Sequence, residues 1–182
     1  LRRLNPLVSA EEMRAAADSM LRDGQALAPY LGPEDRICTG WAGAIPYVTH
    51  AWHLDPWGLN DTEIARRPFD RSAVLFHQRH ATWDDVVRQN VMFCDAYNQF
   101  LFDRPYPPYA VPHPAMPWVK DGVLIYCARL PERRNLYWIF ASPRPREEVT
   151  GWLALHGLSL VYSQMIEFRD APRRTPEMSP VR

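Results

Sequence analysis

Histidine and aspartate side chains cluster around the apolar run that begins at residue 51. His50 and His53 are three residues apart, and Asp55 follows two residues later. In an extended strand the two imidazoles point to opposite faces, so only His53 and Asp55 share a face. Two ligands without a third hold zinc poorly. We therefore expect no metal here and interpret Asp55 as a hydrogen-bond acceptor for the turn at Gly58.

A second set of reactive side chains borders the next apolar runs. His80 precedes a predicted helix start at Thr82, and Cys94 and Asp95 close the buried run that starts at Val91. Strand ends of this kind often carry active sites in α/β proteins. A thiol or a carboxylate becomes a nucleophile or a general base only beside a suitably placed partner. The sequence shows no such pairing, which favours structural roles.

The glycine-rich turn at 40–43 follows an apolar run, as nucleotide-binding turns do. It lacks the Gly-x-Gly-x-x-Gly pattern, and Pro46 interrupts the helix whose N-terminus would receive a pyrophosphate. We therefore expect no cofactor, and we interpret the glycines as residues that allow a tight chain reversal.

Tryptophans are concentrated near the glycine- and proline-rich turns. Sugar rings stack well on exposed indoles, so carbohydrate contact is a reasonable hypothesis. Filling a core or an interface is the other common use of these side chains, and that alternative stays open. The residues concerned are Trp41, Trp52, Trp57 and Trp118.

The periodicity of apolar residues predicts alternating helices and strands. Ser9 and Glu12 form a capping box that opens an amphipathic helix over 10–31. Asn60 or Asp61 should cap a short helix that ends before Pro68. Further helices are predicted at 83–89 and 144–156, and strands at 36–39, 51–55, 91–94, 123–128, 136–140 and 158–168.

This alternation predicts an α/β fold, and the hairpin near the end predicts antiparallel pairing there. We expect a Rossmann-like three-layer sandwich with a mixed, largely parallel sheet. One domain should span 1–170, with an extended proline-rich segment at 104–118 and a disordered tail at 171–182.

Composition describes a globular chain without a long-range electrostatic field. The 182 residues are 47% hydrophobic, and 21 Lys and Arg balance 21 Asp and Glu. Such a balance recruits neither nucleic acid nor an anionic membrane. The three cysteines, within apolar runs, predict neither a disulfide framework nor a zinc site. Because the sequence begins at Leu1 and not at Met, we expect a processed form or a piece of a longer protein.

The segment from 43 to 65 combines five short elements at fixed spacing. They are Gly43-Ala-Ile-Pro-Tyr47, Asp55, Gly58-Leu59, Asn60-Asp61 and Ile64-Ala65. This pattern resembles the soluble extracytoplasmic domain that follows the last membrane helix in many bacterial membrane glycosyltransferases of the GT-C type. The resemblance covers roughly residues 9–96. Trp57 departs from it, since that position is usually smaller or aliphatic, and Arg79 replaces the glycine of a Gly-His pair that aligns with His80.

The resemblance implies an accessory domain without catalytic residues of its own. GT-C enzymes transfer a sugar from a polyprenyl-phosphate carrier, and their catalytic carboxylate lies in a loop between the first membrane helices, outside this chain. The domain would lie on the periplasmic face of the cytoplasmic membrane. Its partners would be a glycan acceptor and either membrane helices of the same longer chain or a membrane partner protein. Candidate binding residues are Trp41, Tyr47, Trp52, Asp55, Trp57, Asn60, Asp61 and His80.

Two other hypotheses remain open from the sequence. One is a free-standing α/β enzyme with His80 and either Asp95 or Cys94 at the strand ends. The other is a protein-interaction module whose prolines and tryptophans contact an unknown partner.

Overall fold

The computed structural model describes residues 9–41, 43–69, 79–95, 100–105, 122–133 and 135–165. The helices in these ranges are α1 (Ala10–Leu27), α2 (Ala44–Thr49), α3 (Thr62–Ala65), α4 (Trp83–Arg88) and α5 (Arg146–Leu155). The strands are β1 (Arg36–Cys38), β2 (Trp52–Leu54), β3 (Phe93–Cys94), β4 (Leu101–Phe102), β5 (Leu124–Arg129), β6 (Tyr137–Ser142) and β7 (Ser159–Met165).

The predicted strands and the three longer predicted helices are confirmed, with ends shifted by a few residues. The two-residue strand β4 was not predicted. The predicted tail at 171–182 and most of the proline-rich segment at 104–118 lie outside the described residues. Within the part of the chain that the structure describes, no helix has the length and apolar character needed to cross a membrane.

The seven strands form one mixed sheet in the order β2-β1-β3-β6-β5-β7, with β4 also beside β6. Strand β1 pairs in parallel with β2 and β3, whereas β6 is antiparallel to β3, β4 and β5, and β5 is antiparallel to β7. The mixed sheet is confirmed, but parallel pairing is confined to one end. Strands β5 and β6 pair as an antiparallel hairpin, and the connection between Arg129 and Tyr137 is shorter than the crossover of about a dozen residues or more that a parallel pair needs.

Helices cover both faces of this sheet. Along β6, Trp138 and Phe140 join a hydrophobic cluster with residues of α1, α2 and α5. Ile139 and Ala141 point the other way and join a second cluster with residues of α3 and α4. The alternation follows the two-residue period of a strand. The protein therefore belongs to the α/β class, with the sheet between two helical layers.

The first helix begins as predicted and ends earlier. Ser9 and Glu12 form the capping box, with the Glu12 N–H donating to the Ser9 hydroxyl at 3.1 Å and the Ser9 N–H donating to the Glu12 carboxylate at 2.7 Å. The helix ends at Leu27, not at residue 31, because the chain passes into a turn before Gly32. Gly24 lets α2 approach closely, since a Cβ there would lie 3.2 Å from the carbonyl oxygen of Ala44.

Candidate functional site

The carboxyl ends of β1, β2 and β3 meet at one edge of the sheet. Cys38 lies opposite both Leu54 and Cys94 in parallel pairings, so the chain leaves all three strands on the same side. Strand β1 has β2 on one side and β3 on the other. In open α/β sheets, ligands bind beyond the carboxyl ends of strands where the strand order reverses in this way. This edge, called the carboxyl edge below, consists of residues 39–41, 55–61 and 95.

Asp95 is fully buried beneath the first turn of the carboxyl edge. Its Oδ2 accepts hydrogen bonds from the Thr39 hydroxyl at 2.7 Å and from the Gly40 N–H at 2.9 Å. The Thr39 hydroxyl oxygen accepts the Trp41 N–H at 3.3 Å. The His53 ring Nε2 lies 3.0 Å from the Thr39 carbonyl oxygen, a contact that requires the proton on this nitrogen. A buried carboxylate thus fixes the backbone that carries Trp41.

This arrangement does not favour a phosphate ligand at the turn. The N–H groups of Gly40 and Trp41 donate to protein oxygens and so face inward. A phosphate needs outward-facing N–H groups, usually at the start of a long helix. The helix that follows, α2, has only six residues.

Asp55 plays a similar part below the second turn of the carboxyl edge. It is 1% exposed. Its Oδ1 accepts the Trp57 N–H at 3.0 Å, and its Oδ2 accepts the Asn60 N–H at 2.6 Å. Its carbonyl oxygen accepts the Gly58 N–H at 3.1 Å. The interpretation of Asp55 as an acceptor for this turn is confirmed.

Two further residues explain why the turn has this sequence. Gly58 has a φ of +71°, and a Cβ there would lie 2.9 Å from the backbone nitrogen of Ala65. Asp61 is the N-cap of α3, and its Oδ1 accepts the N–H groups of Glu63 at 2.9 Å and Ile64 at 3.0 Å. Of the two predicted caps, Asp61 fills the role and the exposed Asn60 does not.

The carboxyl edge leaves aromatic and apolar side chains in contact with solvent. Trp41 and Trp57 are half-buried and pack against the first and second hydrophobic clusters, respectively. Leu59 is 78% exposed. Tyr47 lies on α2 and is 80% exposed.

Trp52 lies elsewhere. It is the first residue of β2, paired with Arg36 at the amino end of β1, and the Arg36 guanidinium stands 4.6 Å from the centre of its ring. The structure therefore separates Trp52 from Trp41 and Trp57 by the length of the strand. Trp52, one of the candidates for carbohydrate contact, therefore does not lie at the carboxyl edge beside Trp41 and Trp57.

His80 adjoins the second turn. The N–H of the next residue, Ala81, donates to the Pro56 carbonyl oxygen at 2.8 Å. The His80 ring Nδ1 lies 3.1 Å from the Ala81 carbonyl oxygen, and Arg67 donates to the His80 carbonyl at 3.2 Å. His80 thus lies beyond β2, whereas Asp95 follows β3 on the other side of β1.

An ion-pair cluster holds α3 against α4 behind this turn. Arg67 donates two hydrogen bonds of 2.6 Å to the two carboxylate oxygens of Asp85. Arg88 donates to Asp85 Oδ1 at 2.8 Å, and the N–H of Thr82 donates to Oδ2 at 2.7 Å. Burial alone would raise the pKa of Asp85, but the hydrogen bonds from Arg67, Thr82 and Arg88 outweigh it and hold the pKa well below its usual range.

The thiol of Cys94 is poorly suited to nucleophilic chemistry. Burial raises its pKa, so the reactive thiolate is disfavoured. His53 is also poorly suited to act as a general base, because burial lowers its pKa and its Nε2 is hydrogen-bonded to the Thr39 carbonyl oxygen.

Among the residues that the structure describes, no group of three or more His, Cys, Asp or Glu side chains could hold a metal ion. His50, at the C-cap of α2, is exposed.

Two parts of this site were missed by sequence reasoning. Thr39 was predicted only as a strand end, and its bond to Asp95 joins residues far apart in the chain. Asp85 was not singled out, although an acidic residue three positions after Thr82 is a capping-box signal. For the bond between Thr39 and Asp95, the available hint in the sequence is that Asp95 comes directly after an apolar run.

We expect Asp55→Ala to lower the free energy of unfolding by about 1–3 kcal/mol, because the N–H groups of Trp57 and Asn60 lose their buried acceptor. Urea unfolding followed by circular dichroism measures the change. Asp61→Ala, which loses only a helix cap, should cost about 1 kcal/mol. An unchanged midpoint for Asp55→Ala would contradict its structural role.

Comparisons with known proteins add one finding. No curated protein and no solved structure matches the chain. The model of one family, described as a domain of unknown function (DUF8728), matches residues 8–149, which is more than half of the sequence. The chain, with its two aspartate-anchored turns at the carboxyl edge, is therefore a member of the DUF8728 family.

Proposed function

We propose that this chain is the glycan-contacting accessory domain of a membrane-bound glycosyltransferase of the GT-C type. It contributes no catalytic group of its own. The proposal rests on the spacing of motif residues between 43 and 65 and on the geometry of the carboxyl edge.

One observation carries the proposal. Two half-buried indoles, Trp41 and Trp57, follow neighbouring parallel strands at the edge where α/β sheets bind ligands. A buried carboxylate anchors the backbone at each: Asp55 accepts the Trp57 N–H directly, and Asp95 holds Trp41 through Thr39. Rigid, partly exposed aromatic rings are suited to stacking against the apolar face of a sugar. Because the rings are held in advance, little conformational entropy is lost on binding.

The carboxylates at this edge already have partners within the protein. Both oxygens of Asp55 and one oxygen of Asp61 accept backbone hydrogen bonds. These carboxylates serve the fold, so they are poorly placed to act as general acid or general base. Acid–base groups would then come from outside this chain, as the resemblance implies.

The motif residues divide into two groups in the structure. Ile45, Asp55, Gly58 and Ile64 have structural roles, since each is buried or occupies a strained turn. Tyr47 and Leu59, together with the exposed Asn60, face solvent, and packing does not explain their identity. In our proposal these exposed residues contact the glycan acceptor, membrane helices of the same longer chain, or a membrane partner protein, on the periplasmic side of the cytoplasmic membrane.

The sheet topology supports a Rossmann-like classification within the same proposal. The order β2-β1-β3 with parallel pairing is the order found across the switch point of doubly wound folds. Packing of α2 on one face and of α3 and α4 on the other agrees with such winding. The antiparallel half, β6-β5-β7, is an addition to that plan.

The binding test uses the purified chain and a panel of short neutral oligosaccharides, with affinity measured by titration calorimetry. Trp41→Ala should weaken binding about three- to tenfold, the value of one aromatic stacking contact. Trp41→Phe should retain part of the affinity. Trp52→Ala is the matched control, since it removes an indole at the opposite end of β2, and it should bind as tightly as the unsubstituted chain. Equal losses for Trp41→Ala and Trp52→Ala would contradict the site.

A further inference from the structure

Cys38 and Cys94 are the last residues of β1 and β3 and lie directly opposite each other in the parallel ladder. Both are free cysteines, and both side chains are buried in the same hydrophobic cluster. Because they are paired residues of one ladder, both side chains project from the same face of the sheet. The sequence alone, with three widely spaced cysteines, gave no reason to pair them.

The fold selects this pair and excludes the third cysteine. Neighbouring strands lie about 4.8 Å apart, and a disulfide requires a Cα–Cα distance of about 4.4–6.8 Å. Cys127 lies on β5, with β6 between it and β3, so it is two strands from Cys94. That separation, roughly 10 Å, is beyond the reach of a disulfide.

We propose that Cys38 and Cys94 are a disulfide site, oxidised when the chain folds in the presence of a small-molecule disulfide such as oxidised glutathione. The Cys94 thiolate attacks one sulfur of oxidised glutathione, which forms a mixed disulfide and releases a glutathione thiolate. The Cys38 thiolate then attacks the Cys94 sulfur and releases the second glutathione thiolate. Two cysteines lose two electrons, oxidised glutathione gains them, and the two thiol protons pass to solvent.

The timing follows from burial. In the folded chain both side chains are inaccessible, and burial raises the pKa of both thiols. An external disulfide therefore reacts with them during folding, when the thiols are still exposed and the two strands begin to pair. Once formed, the bond is sealed in the core.

The bond would reinforce the carboxyl edge. The residues that follow the two cysteines are Thr39 and Asp95, which hydrogen-bond to each other at 2.7 Å. The Asp95 N–H also donates to the Cys38 carbonyl oxygen at 2.9 Å. A covalent link one residue earlier in each strand therefore holds together the strand ends from which Trp41 projects. This inference does not depend on glycan binding.

The test refolds the reduced, denatured chain in a mixture of reduced and oxidised glutathione. Free thiols are then blocked with an alkylating agent, and peptides are mapped by mass spectrometry. We expect one linked pair of peptides, containing Cys38 and Cys94, with Cys127 alkylated. Cys127→Ser should give the same linked pair, and Cys38→Ser should give none. The oxidised chain should melt about 5–10 °C above the same chain kept reduced.

Mapping of the unsubstituted chain decides the question even if a variant folds poorly. Alkylation of all three cysteines after refolding, or a link to Cys127, would overturn the proposal. A linked chain that melts below the reduced one would also overturn it, because the native ladder would then not accommodate the bond.

Discussion

Asp95→Ala should lower the free energy of unfolding by about 2–5 kcal/mol, because the buried Thr39 hydroxyl and Gly40 N–H both lose their acceptor. The side chain is 0% exposed, so water cannot replace the carboxylate at no cost. Urea unfolding monitored by circular dichroism gives the value. Asp95→Asn, which keeps one acceptor oxygen and the shape, should lose less.

Asp103→Ala is the matched control for this experiment. Its side chain is 89% exposed, and the substitution should change the unfolding free energy by less than about 0.5 kcal/mol. A loss for Asp95→Ala no larger than that of the control would show that Asp95 does not anchor the turn. The role assigned to Asp95 beneath Trp41 would then be withdrawn.

Asp85→Ala should cost about 3 kcal/mol, since it leaves the Arg67 guanidinium without its bidentate partner and Thr82 without an acceptor. Glu63→Ala removes an exposed carboxylate that pairs with Arg67 and Arg88, and it should lower the free energy of unfolding by less than about 1 kcal/mol. Thermal and urea unfolding of the two variants measure the difference. Equal costs would contradict the interpretation of Asp85 as the centre of the cluster.

The ion-pair cluster around Asp85 also makes the free energy of unfolding depend on pH in acid. Because the pKa of Asp85 is lowered in the folded chain, its stabilisation is complete above the unfolded value of about 3.9 and is lost as pH falls further. In Asp85→Asn this part of the loss of stability in acid should disappear.

Asp23 should affect stability in the opposite direction. Burial raises its pKa to about 6 in the folded chain, so the free energy of unfolding should decline as pH rises from about 4 to about 6. That decline should persist in Asp85→Asn, so the two effects are separable in one pH series.

What the sequence predicts well is local. The capping box of Ser9 and Glu12 and the bonds from Asp55 to the turn at Gly58 join residues at most five positions apart, and their residue types carry the signal. The class of the fold also follows from local periodicity. Helix α1 was predicted too long because apolar spacing continues to Leu31, while the backbone has already left the helix at Leu27.

The remaining features depend on pairing between distant segments. Strands β3 and β4 are two residues each; β3 is defined by its pairing with β1 and β6, and β4 by its pairing with β6. The bond between Thr39 and Asp95 spans 56 positions, and local propensity does not encode it. Trp52 was grouped with Trp41 and Trp57 because all are near glycine or proline in sequence. In the sheet, Trp52 lies at the amino ends of the strands, whereas Trp41 and Trp57 follow their carboxyl ends.

The central claim is that the carboxyl edge is a glycan-contacting surface without catalytic groups. It is tested most directly by an ¹H–¹⁵N NMR titration of the isotope-labelled chain with a neutral oligosaccharide and, in parallel, by product analysis with a polyprenyl-phosphate sugar analogue. We expect shifts at the indole N–H groups of Trp41 and Trp57 and at the amides of Gly40, Gly58 and Asn60. The Trp52 indole should not move, and no sugar transfer or hydrolysis should occur. Shifts centred on Trp52 and Arg36, no shifts with any oligosaccharide of the panel, or turnover by the isolated chain that is lost on changing His80, Cys94 or Asp95 would contradict the account.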